Sequence, residues 1–525
     1  MKGIMLDCSR NGVMKTEAIE RYAGIMAKMG YDTLMLYTEE TYEVDNEPFF
    51  GYMRGRYAKE ELKRLDGILA GYGVELVPCI QTLAHLKCMF RWDEYQDIRD
   101  CDDILLIDEE GTYQLLERMF STLRQCVSTA KIHVGMDEAH NVGLGKYLER
   151  HGYADRFQLI CRHLNKVCEL AAKYGFEPMI WSDMFCKLAL NTPDYYQGGS
   201  ISTEWLKEEN VQLPENVSFV YWDYYTTDRQ RYTNMIELNR AFGRKVIFAG
   251  GAWTWKGFAP DNEFSMNATK EALQACREGG VEDWFLTAWG DDGDECSKFA
   301  VLPALMYAVE TDRGTEDMSI IKEHFREIVG ADFDTFMLLD RLNIDRGNTG
   351  SFCKYLLYVD VFMGFEEPRH SGREYGGYYA QLAEVLHNAE GKGEYEYLFD
   401  SYEALCRALV VKSELGRKTR TCYRENDTDG LKKLAEEDYV QAIEAVRAFH
   451  RACRKMWMTE KKPHGFDVQD IRLGGLMQRL ESCKERLEEY LRGESTSIPE
   501  LEEELLQVKA KRPWRYISTC NVISD

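Results

Sequence analysis

Short apolar runs alternate with stretches of helical periodicity over roughly the first 310 residues of the chain. Near-continuous apolar runs are typical of parallel strands covered on both faces, whereas intervening i, i+3, i+4 patterns predict amphipathic helices. In the first helical stretch the pattern puts Thr16 at the N-cap. The predicted strands are Gly3–Asp7, Asp32–Tyr37, Val74–Ile80, Lys131–Met136, Glu177–Ser182, Val217–Asp223, Lys245–Gly250 and Asp283–Gly290. The predicted helices lie near Thr16–Met29, Lys59–Tyr72, Tyr113–Thr129 and Asp155–Tyr174, with Gly30, Gly73 and Gly175 at their C-terminal ends.

Eight strands, each followed by helical sequence, predict an α/β fold with a (β/α)₈ TIM barrel. A doubly wound open sheet has the same local pattern, but its first strand often leads into a glycine-rich phosphate loop, and Cys8–Gly12 is not one. After about Thr311 only helical patterns remain, such as an apolar stripe at Leu476, Leu480, Cys483, Leu487 and Leu491. We therefore expect a barrel domain over residues 1–311 and an all-α C-terminal domain over residues 312–525.

The composition of the chain disfavours some classes of binding partner and indicates a cellular compartment. The chain has 65 Lys and Arg against 89 Asp and Glu, a net charge of −24, which disfavours nucleic acid and anionic membrane surfaces as partners. There is no uncharged apolar run of about 20 residues and no signal-peptide core, so we expect a cytoplasmic protein. The sixteen cysteines are scattered without a CxxC pair, which favours reduced thiols.

Chemistry in a barrel is expected just past the carboxyl ends of the strands. Aromatic faces cover the C–H side of a sugar ring while charged groups bind its hydroxyls, so a Trp-rich rim with carboxylates and one Arg favours carbohydrate binding. A single Trp at such a place is as often a packed core residue, but five at one rim are harder to explain that way. The strand ends carry Arg10, Glu39, Glu40, Gln81, His85, Asp137, Glu138, Trp181, Asp183, Trp222, Tyr224, Trp253, Trp289 and Asp291.

The segment Lys131–His140 reads KIHVGMDEAH. It resembles the H-x-G-[GA]-D-E signature of glycoside hydrolase family 20, the β-N-acetylhexosaminidases, with Met136 as a departure. Further segments are similar to the family's other strand motifs in the same order: Met5–Arg10, Val77–His85, Met179–Asp183 and Trp289–Asp291. The resemblance covers roughly residues 1–310. It implies a short form of the family, in which the α/β domain often found ahead of the barrel is missing.

The resemblance implies an exo-acting β-N-acetylhexosaminidase that removes terminal β-linked GlcNAc or GalNAc with retention. Adjacent carboxylates on one strand tip cannot easily flank a glycosidic bond from two sides. Glu138 would instead act as the acid and base, and Asp137 would orient the substrate's own 2-acetamido group for attack on the anomeric carbon. This is substrate-assisted catalysis, with neither a cofactor nor a metal.

The resemblance also implies roles in sugar binding. Arg10 would bind O3 and O4, Asp291 would bind O4 or O6, and His85 and His133 would support Asp137 and Glu138. Trp181, Trp253 and Trp289 would enclose the acetamido methyl and the ring, with Glu39 and Trp222 as further substrate-binding residues. The family places a Tyr of a Y-x-D pattern on strand seven, whereas Tyr221-Trp222-Asp223 lies on strand six here. Tyr224 or Tyr225 would reach the same place from the neighbouring strand, and of the two we predict Tyr224 as the acetamido contact.

Three other functions compete with this one. A barrel glycosidase with a protein carboxylate nucleophile would commonly place that acid at the end of strand seven, but residues 249–255 read AGGAWTW. A metal-dependent hydrolase would use His133, Asp137 and His140, yet no H-x-H or HExxH pattern accompanies them. A non-catalytic sugar-binding barrel would be expected to lack the acid at position 138.

The predicted partner is a small glycan or glycoconjugate with a terminal N-acetylhexosamine. For the helical domain three roles stay open: packing on the barrel, contributing a rim residue near Trp514 or Asn521, or forming a homodimer.

Overall fold

The structure is a computed structural model that describes residues 1–192, 194–197, 212–344, 352–364 and 374–506. The chain forms two compact units. The first comprises Met1–Trp253, Glu263–Trp289 and Ala304–Ile321; the second comprises Thr254–Asn262, Gly290–Pro303 and the chain from Lys322 onward. The division into domains at residue 311 stays a prediction, and Trp514 and Asn521 lie outside the described residues.

Eight parallel strands of the first unit close into a barrel, which confirms the predicted (β/α)₈ fold. Around the barrel the order is β1-β10-β9-β8-β7-β6-β3-β2. A short antiparallel pair, β4 and β5, was not predicted and lies in the connection between β3 and β6. The strands are β1 Lys2–Asp7, β2 Thr33–Thr38, β3 Glu75–Ile80, β4 Arg99–Cys101, β5 Ile104–Leu105, β6 Lys131–His133, β7 Glu177–Trp181, β8 Ser218–Trp222, β9 Lys245–Gly251 and β10 Trp284–Ala288.

The strand β6 is shorter than its apolar run predicts. The prediction extended it to Met136, but the strand ends at His133, and backbone hydrogen bonds with β7 continue only as far as the oxygen of Gly135. Gly135 and Met136 have φ values of +72° and +74°, a left-handed backbone that a strand does not accommodate. The chain therefore leaves the sheet before Asp137, and both carboxylates of the motif lie on a turn instead of a strand end.

Helices cover the connections between the strands and most of the second unit. They are Thr16–Met29, Lys59–Gly71, Glu110–Arg124, Lys146–His151, Arg156–Lys173, Asp183–Leu190, Arg229–Arg240, Asn262–Glu278, Leu302–Arg313, Met318–Val329, Phe333–Met337, Phe352–Tyr358, Gly376–Asn388, Glu396–Arg424, Thr428–Lys433, Tyr439–Glu460, Phe466–Leu491 and Pro499–Glu502. A π-helical turn, Leu434–Asp438, joins two of them. These helices confirm an all-α region after the barrel.

The first helix buries the apolar stripe that its sequence predicts, including Ile19, Tyr22 and Met26. Gly30 follows it with φ +106°, the left-handed conformation expected after a helix end. The predicted N-cap is wrong, since Lys15 occupies that position without a side-chain capping bond. Thr16 lies inside the first turn, and its hydroxyl donates to the carboxylate of Glu17.

The second unit contains buried ion pairs. Asp294 pairs with Lys461 at 2.8 Å, and Glu295 pairs with Lys354 at 2.6 Å and with Arg472 at 3.2 Å. Each of these side chains is at most 3% exposed. A buried charge is tolerated only when it is paired, so these contacts fix the turn that starts at Gly290 to the helices of the same unit.

Two further properties of the described residues bear on the sequence-based expectations. The cysteines among them are free thiols, as their scattered spacing predicts. None of the helices in the described part of the chain is long and apolar enough to cross a membrane.

Candidate active site

The turn Gly135–Glu138 forms the centre of the candidate site. Three of its residues, Gly135, Met136 and Glu138, have positive φ values. A Cβ on Gly135 would lie 2.1 Å from Oε1 of Gln81, so this position fits only glycine. The same Gln81 oxygen accepts the N–H of Met136 at 3.1 Å, which ties the turn to the end of β3.

Asp137 is held between two side chains from the region after β3. Gln81 Nε2 donates to its Oδ1 at 2.8 Å, and His85 Nε2 lies 3.2 Å from its Oδ2. Burial would raise the pKa of Asp137, but the charge of His85 and hydrogen bonds from His85 and Gln81 lower it to about 2. Asp137 is therefore an ionised carboxylate at neutral pH.

His85 is the cationic partner of this carboxylate. Burial would lower the pKa of its imidazole, but the neighbouring Asp137 raises the pKa to about 9. The backbone at His85 has φ +58°, and its N–H donates to Asp103 Oδ2 at 3.2 Å. This hydrogen bond holds the backbone of His85 within its loop. The side chain thus carries a positive charge next to Asp137 near neutral pH.

Arg10 and Glu39 extend this charged cluster. Arg10 Nε donates to Glu39 Oε1 at 2.9 Å, and its Nη2 lies 3.3 Å from His85 Nδ1. Tyr37 also donates to Glu39 Oε1, at 3.0 Å. Burial raises the pKa of Glu39 to about 7 against the opposing effect of Arg10. The cluster therefore runs along one rim of the barrel from Glu39 through Arg10 and His85 to Asp137, with a carboxyl group at each end and two basic side chains between them.

Glu138 points to a more open environment than its neighbour. Its side chain is 46% exposed, and its Oε2 lies 3.7 Å from His85 Nε2. Its backbone N–H donates to Oδ2 of the buried Asp183 at 3.1 Å. The turn therefore presents one buried ionised carboxylate and one accessible carboxyl side by side.

Aromatic side chains line the rim beside these carboxyl groups. The Trp289 ring lies 4.7 Å from the Tyr37 ring and 5.7 Å from the Arg10 guanidinium. Trp222 stacks on Tyr224 at 5.2 Å, and Trp253 Nε1 donates to the backbone oxygen of Tyr224 at 2.9 Å. The predicted aromatic residues at the ends of β8 and β9 therefore contact one another, and Trp289 at the end of β10 contacts Tyr37 and Arg10.

The Tyr224 hydroxyl group is itself tied to the rim. Burial raises the pKa of Tyr224 well above its usual range, while hydrogen bonds with the side chains of Trp289 and Thr287 act in the opposite direction. The phenol is thus neutral and shares polar contacts with the end of β10. The predicted contact of Tyr224 with an acetamido group stays a prediction.

Two further predicted residues, Trp181 and His133, are fully buried. Trp181 is 1% exposed and packs 4.3 Å from the His133 ring and 6.1 Å from the Trp289 ring. Burial lowers the pKa of His133 to about 3, and its Nδ1 accepts the N–H of Gly135 at 3.1 Å. His133 is therefore a neutral residue that holds the backbone of the turn.

Asp291 belongs to the second unit, whereas the other predicted site residues belong to the first. It follows β10 by three residues and lies, half-buried, in the turn after Gly290. Binding of the sugar's O4 or O6 hydroxyl by Asp291 stays a prediction.

The chain is similar to known proteins at the level of a family model and of solved structures. Residues 334–518 match the model of the Glycoside Hydrolase 20C C-terminal domain. This domain follows a barrel whose β6 turn carries the matching H-x-G-x-D-E sequence. The region after the barrel is therefore similar to a domain of glycoside hydrolase family 20, the family that the sequence motifs resemble. The resemblance of the sequence motifs to this family is thereby confirmed.

Several solved structures of family 20 enzymes are similar to the chain. An exo β-N-acetylglucosaminidase from Vibrio harveyi has 13% identity and a TM-score of 0.47, with 64% of this chain and 58% of that chain covered. A β-N-acetylhexosaminidase from Bacteroides fragilis has 17% identity and a TM-score of 0.46, with 63% and 68% covered. One from Streptomyces coelicolor A3(2) has 16% identity and a TM-score of 0.45, with 63% and 69% covered. No curated protein sequence matches the chain.

Three residues of the candidate site, Tyr37, Gln81 and Asp183, are given no role by the sequence. Gln81 and Asp183 are among the predicted strand-end residues, but the sequence does not show which groups they contact. Tyr37 lies near the end of β2 within an apolar run, which predicts a strand residue and assigns no role to its hydroxyl group. The contacts of Gln81 and Asp183 with the motif turn become apparent only once the strands are paired.

The metal-dependent alternative receives no geometric support. Among the residues that the structure describes, no three His, Cys, Asp or Glu side chains come together as a metal ligand set. His133 packs against Trp181 and supports the turn, while Asp137 is engaged by His85 and Gln81.

Proposed function

We propose that this chain is an exo-acting β-N-acetylhexosaminidase that removes terminal β-linked GlcNAc or GalNAc with retention by substrate-assisted catalysis. The observation that carries the proposal is the pairing of an ionised, buried Asp137 with an accessible Glu138 on one turn. The two roles of the reaction require these two environments, one that keeps a carboxylate charged and one that lets a carboxyl reach the leaving group.

In the first step the acetamido oxygen of the substrate attacks the anomeric carbon while the glycosidic C–O bond breaks. Glu138 gives its proton to the leaving oxygen, which departs as the alcohol. Asp137 accepts the acetamido N–H and stabilises the positive charge that develops on this nitrogen. An oxazolinium ion forms, so no carboxylate of the protein needs to bond to the sugar.

In the second step Glu138, now a carboxylate, takes a proton from water as the water oxygen adds to the anomeric carbon. The oxazolinium ring opens and restores the acetamido group. Both steps occur with inversion at this carbon, so the overall configuration is retained.

The surrounding residues take roles in binding. The Arg10 guanidinium, held by Glu39, binds O3 and O4, and the Tyr224 hydroxyl binds the acetamido oxygen. Trp289 and Trp253 cover the ring and the acetamido methyl. Asp291 binds O4 or O6. The cytoplasmic location and the homodimer stay predictions, as does the role of the helical domain.

The test is hydrolysis of aryl N-acetyl-β-glucosaminides by the full chain. We expect turnover that depends on the N-acetyl group, competitive inhibition by a thiazoline analogue of the oxazolinium ion, and about a 10²–10⁴-fold loss of kcat in Glu138→Gln with a poor leaving group. Turnover of the corresponding glucoside at an equal rate would favour a protein nucleophile instead. Wild-type turnover in Glu138→Gln would exclude the proposed acid.

A further inference from the structure

Asp183 is a buried carboxyl group at the barrel rim to which the reaction as described gives no role. It is the first residue of the helix Asp183–Leu190, two positions after the end of β7, and its side chain is 0% exposed. A carboxylate pays a large desolvation cost at such a place unless specific groups hold it. Its partners therefore indicate its role.

Asp183 contacts the backbone of Glu138 and the side chains of Lys187 and Trp222. Its Oδ2 accepts the backbone N–H of Glu138 at 3.1 Å, and Lys187 Nζ lies 3.8 Å from the same oxygen. Its Oδ1 lies 3.5 Å from Trp222 Nε1. Burial raises the pKa of Asp183 to about 7, with the negative charge of Asp137 acting in the same direction. Asp183 thus joins the motif turn to the aromatic end of β8.

The backbone of Glu138 needs such a partner. Its φ is +50°, a left-handed conformation that costs a non-glycine residue on the order of 1 kcal/mol or more. Its side chain is 46% exposed, so packing does not fix its direction. A hydrogen bond to its N–H holds the backbone in this conformation and so sets the direction of the Cα–Cβ bond from which the carboxyl group extends.

The turn is held from two sides. Gln81 binds Met136 and Asp137 from the β3 side, whereas Asp183 binds Glu138 from the β7 side. The two carboxyl groups of the motif therefore have separate supports. Removing one support is expected to disturb one role of the reaction more than the other.

We infer that Asp183 is a positioning residue that aims the proton of Glu138 at the leaving oxygen, through its hydrogen bond to the Glu138 backbone. This inference rests on the proposed function, in which Glu138 is the acid. It assigns to Asp183 an effect on protonation of the leaving group and little effect on binding of the sugar.

The experiment measures kcat and KM of Asp183→Ala across aryl N-acetyl-β-glucosaminides, from dinitrophenol to alkylphenol leaving groups. A misaimed acid matters most when the leaving group needs a proton. We expect about a 10–100-fold loss of kcat with the alkylphenol, a loss several times smaller with dinitrophenol, and KM within a few-fold of wild type. Asp183→Asn keeps an oxygen acceptor for the N–H and should recover most of the alkylphenol rate. Asp183→Leu, which fills the same space without a carboxyl, repeats the measurement if the Ala variant does not fold.

Asp100→Ala is the matched control. Asp100 is also a buried carboxylate that accepts backbone N–H groups, those of Gly143 at 2.8 Å and Tyr147 at 2.7 Å, in the loop after Glu138. Its loss should change all substrates by the same factor. The same factor across all leaving groups in Asp183→Ala and Asp183→Leu, or wild-type rates in both, would overturn the inference.

Glu138→Gln separates this failure from failure of the proposed function. This variant should show the steepest dependence on the leaving group. If it does while Asp183→Ala shows none, Asp183 does not position the acid and the proposed function stands. If Glu138→Gln itself shows no dependence on the leaving group, the proposed role of Glu138 fails, and the inference fails with it.

Discussion

Replacing Asp137 with Asn removes one negative charge from the barrel rim while keeping the shape of the side chain. The amide oxygen can still accept from Gln81, so the substitution isolates the charge. In the wild-type protein the pair raises the pKa of His85 from 6.5 to about 9 and lowers that of Asp137 from 3.8 to about 2. The variant should lose the part of the stability that comes from this ion pair.

The magnitude follows from the pKa shifts. One pKa unit corresponds to about 1.4 kcal/mol, so the Asp137 shift gives about 2.5 kcal/mol and the His85 shift about 3.5 kcal/mol. The two shifts describe the same ion pair and are counted once. The side chains are 15% and 10% exposed, so solvent screens the pair little. For the barrel unit this amounts to about 4–8 °C in the unfolding temperature.

The sign of the pH dependence is specific. The pKa of His85 is higher in the folded protein, so its contribution is complete below pH 6.5 and is lost as the pH rises through about 9. The pKa of Asp137 is lower in the folded protein, so its contribution is complete above pH 3.8 and is lost as the pH falls through about 2. The difference between wild type and Asp137→Asn should therefore be largest between about pH 4 and 6.5.

Calorimetric unfolding of both proteins from pH 5 to 9.5 measures this difference, with Asp100→Asn as the control. Asp100 binds backbone N–H groups, which do not titrate, so its substitution should give a difference that does not decline between pH 6.5 and 9. A constant difference between wild type and Asp137→Asn over the same range would refute the reasoning. It would show that Asp137 acts through hydrogen bonds that do not depend on the charge of His85.

Two further substitutions test a tight turn in the first unit and a buried ion pair in the second. Gly135→Ala should destabilise the protein by about 2–4 kcal/mol, since its Cβ would lie 2.1 Å from a side-chain oxygen. Gly152→Ala has a similar φ of +75° and open space, so urea unfolding of both separates the clash from the backbone strain, and equal losses would contradict the clash. Lys354→Met leaves Glu295 short of a partner at 1% exposure and should cost about 3–5 kcal/mol, measured by calorimetry. An unchanged unfolding temperature would show that Arg472 alone compensates the carboxylate.

The barrel could be predicted from the sequence because its strands are local apolar runs of the right length. The closed sheet confirms all eight, and Gly30 ends the first helix as its position predicts. The predicted length of β6 is wrong for a reason of local backbone geometry. The apolar residues after His133 predict a longer β6, but left-handed conformations at Gly135 and Met136 end it, and hydrophobicity carries no information about φ.

The candidate site could be predicted only in part. Residues that carry a charge or a large ring at a strand end were found, and the structure brings Arg10, Glu39, His85, Asp137 and Glu138 together. Gln81 and Asp183 were not given roles, because an amide or carboxyl becomes a support only through the group it meets. The Asp183 hydrogen bond to Glu138 joins residues 45 positions apart in the chain.

The sequence by itself determined the alternation of strands and helices, the change to an all-helical region, and the motif that places an acid next to a second carboxylate. Local periodicity and residue type are sufficient for these features. Only the tertiary structure decided which carboxylate is buried and ionised and which is accessible. That assignment depends on desolvation and on the charges of His85 and Arg10, and these act on Asp137 only after the closed barrel has brought distant segments within a few ångströms.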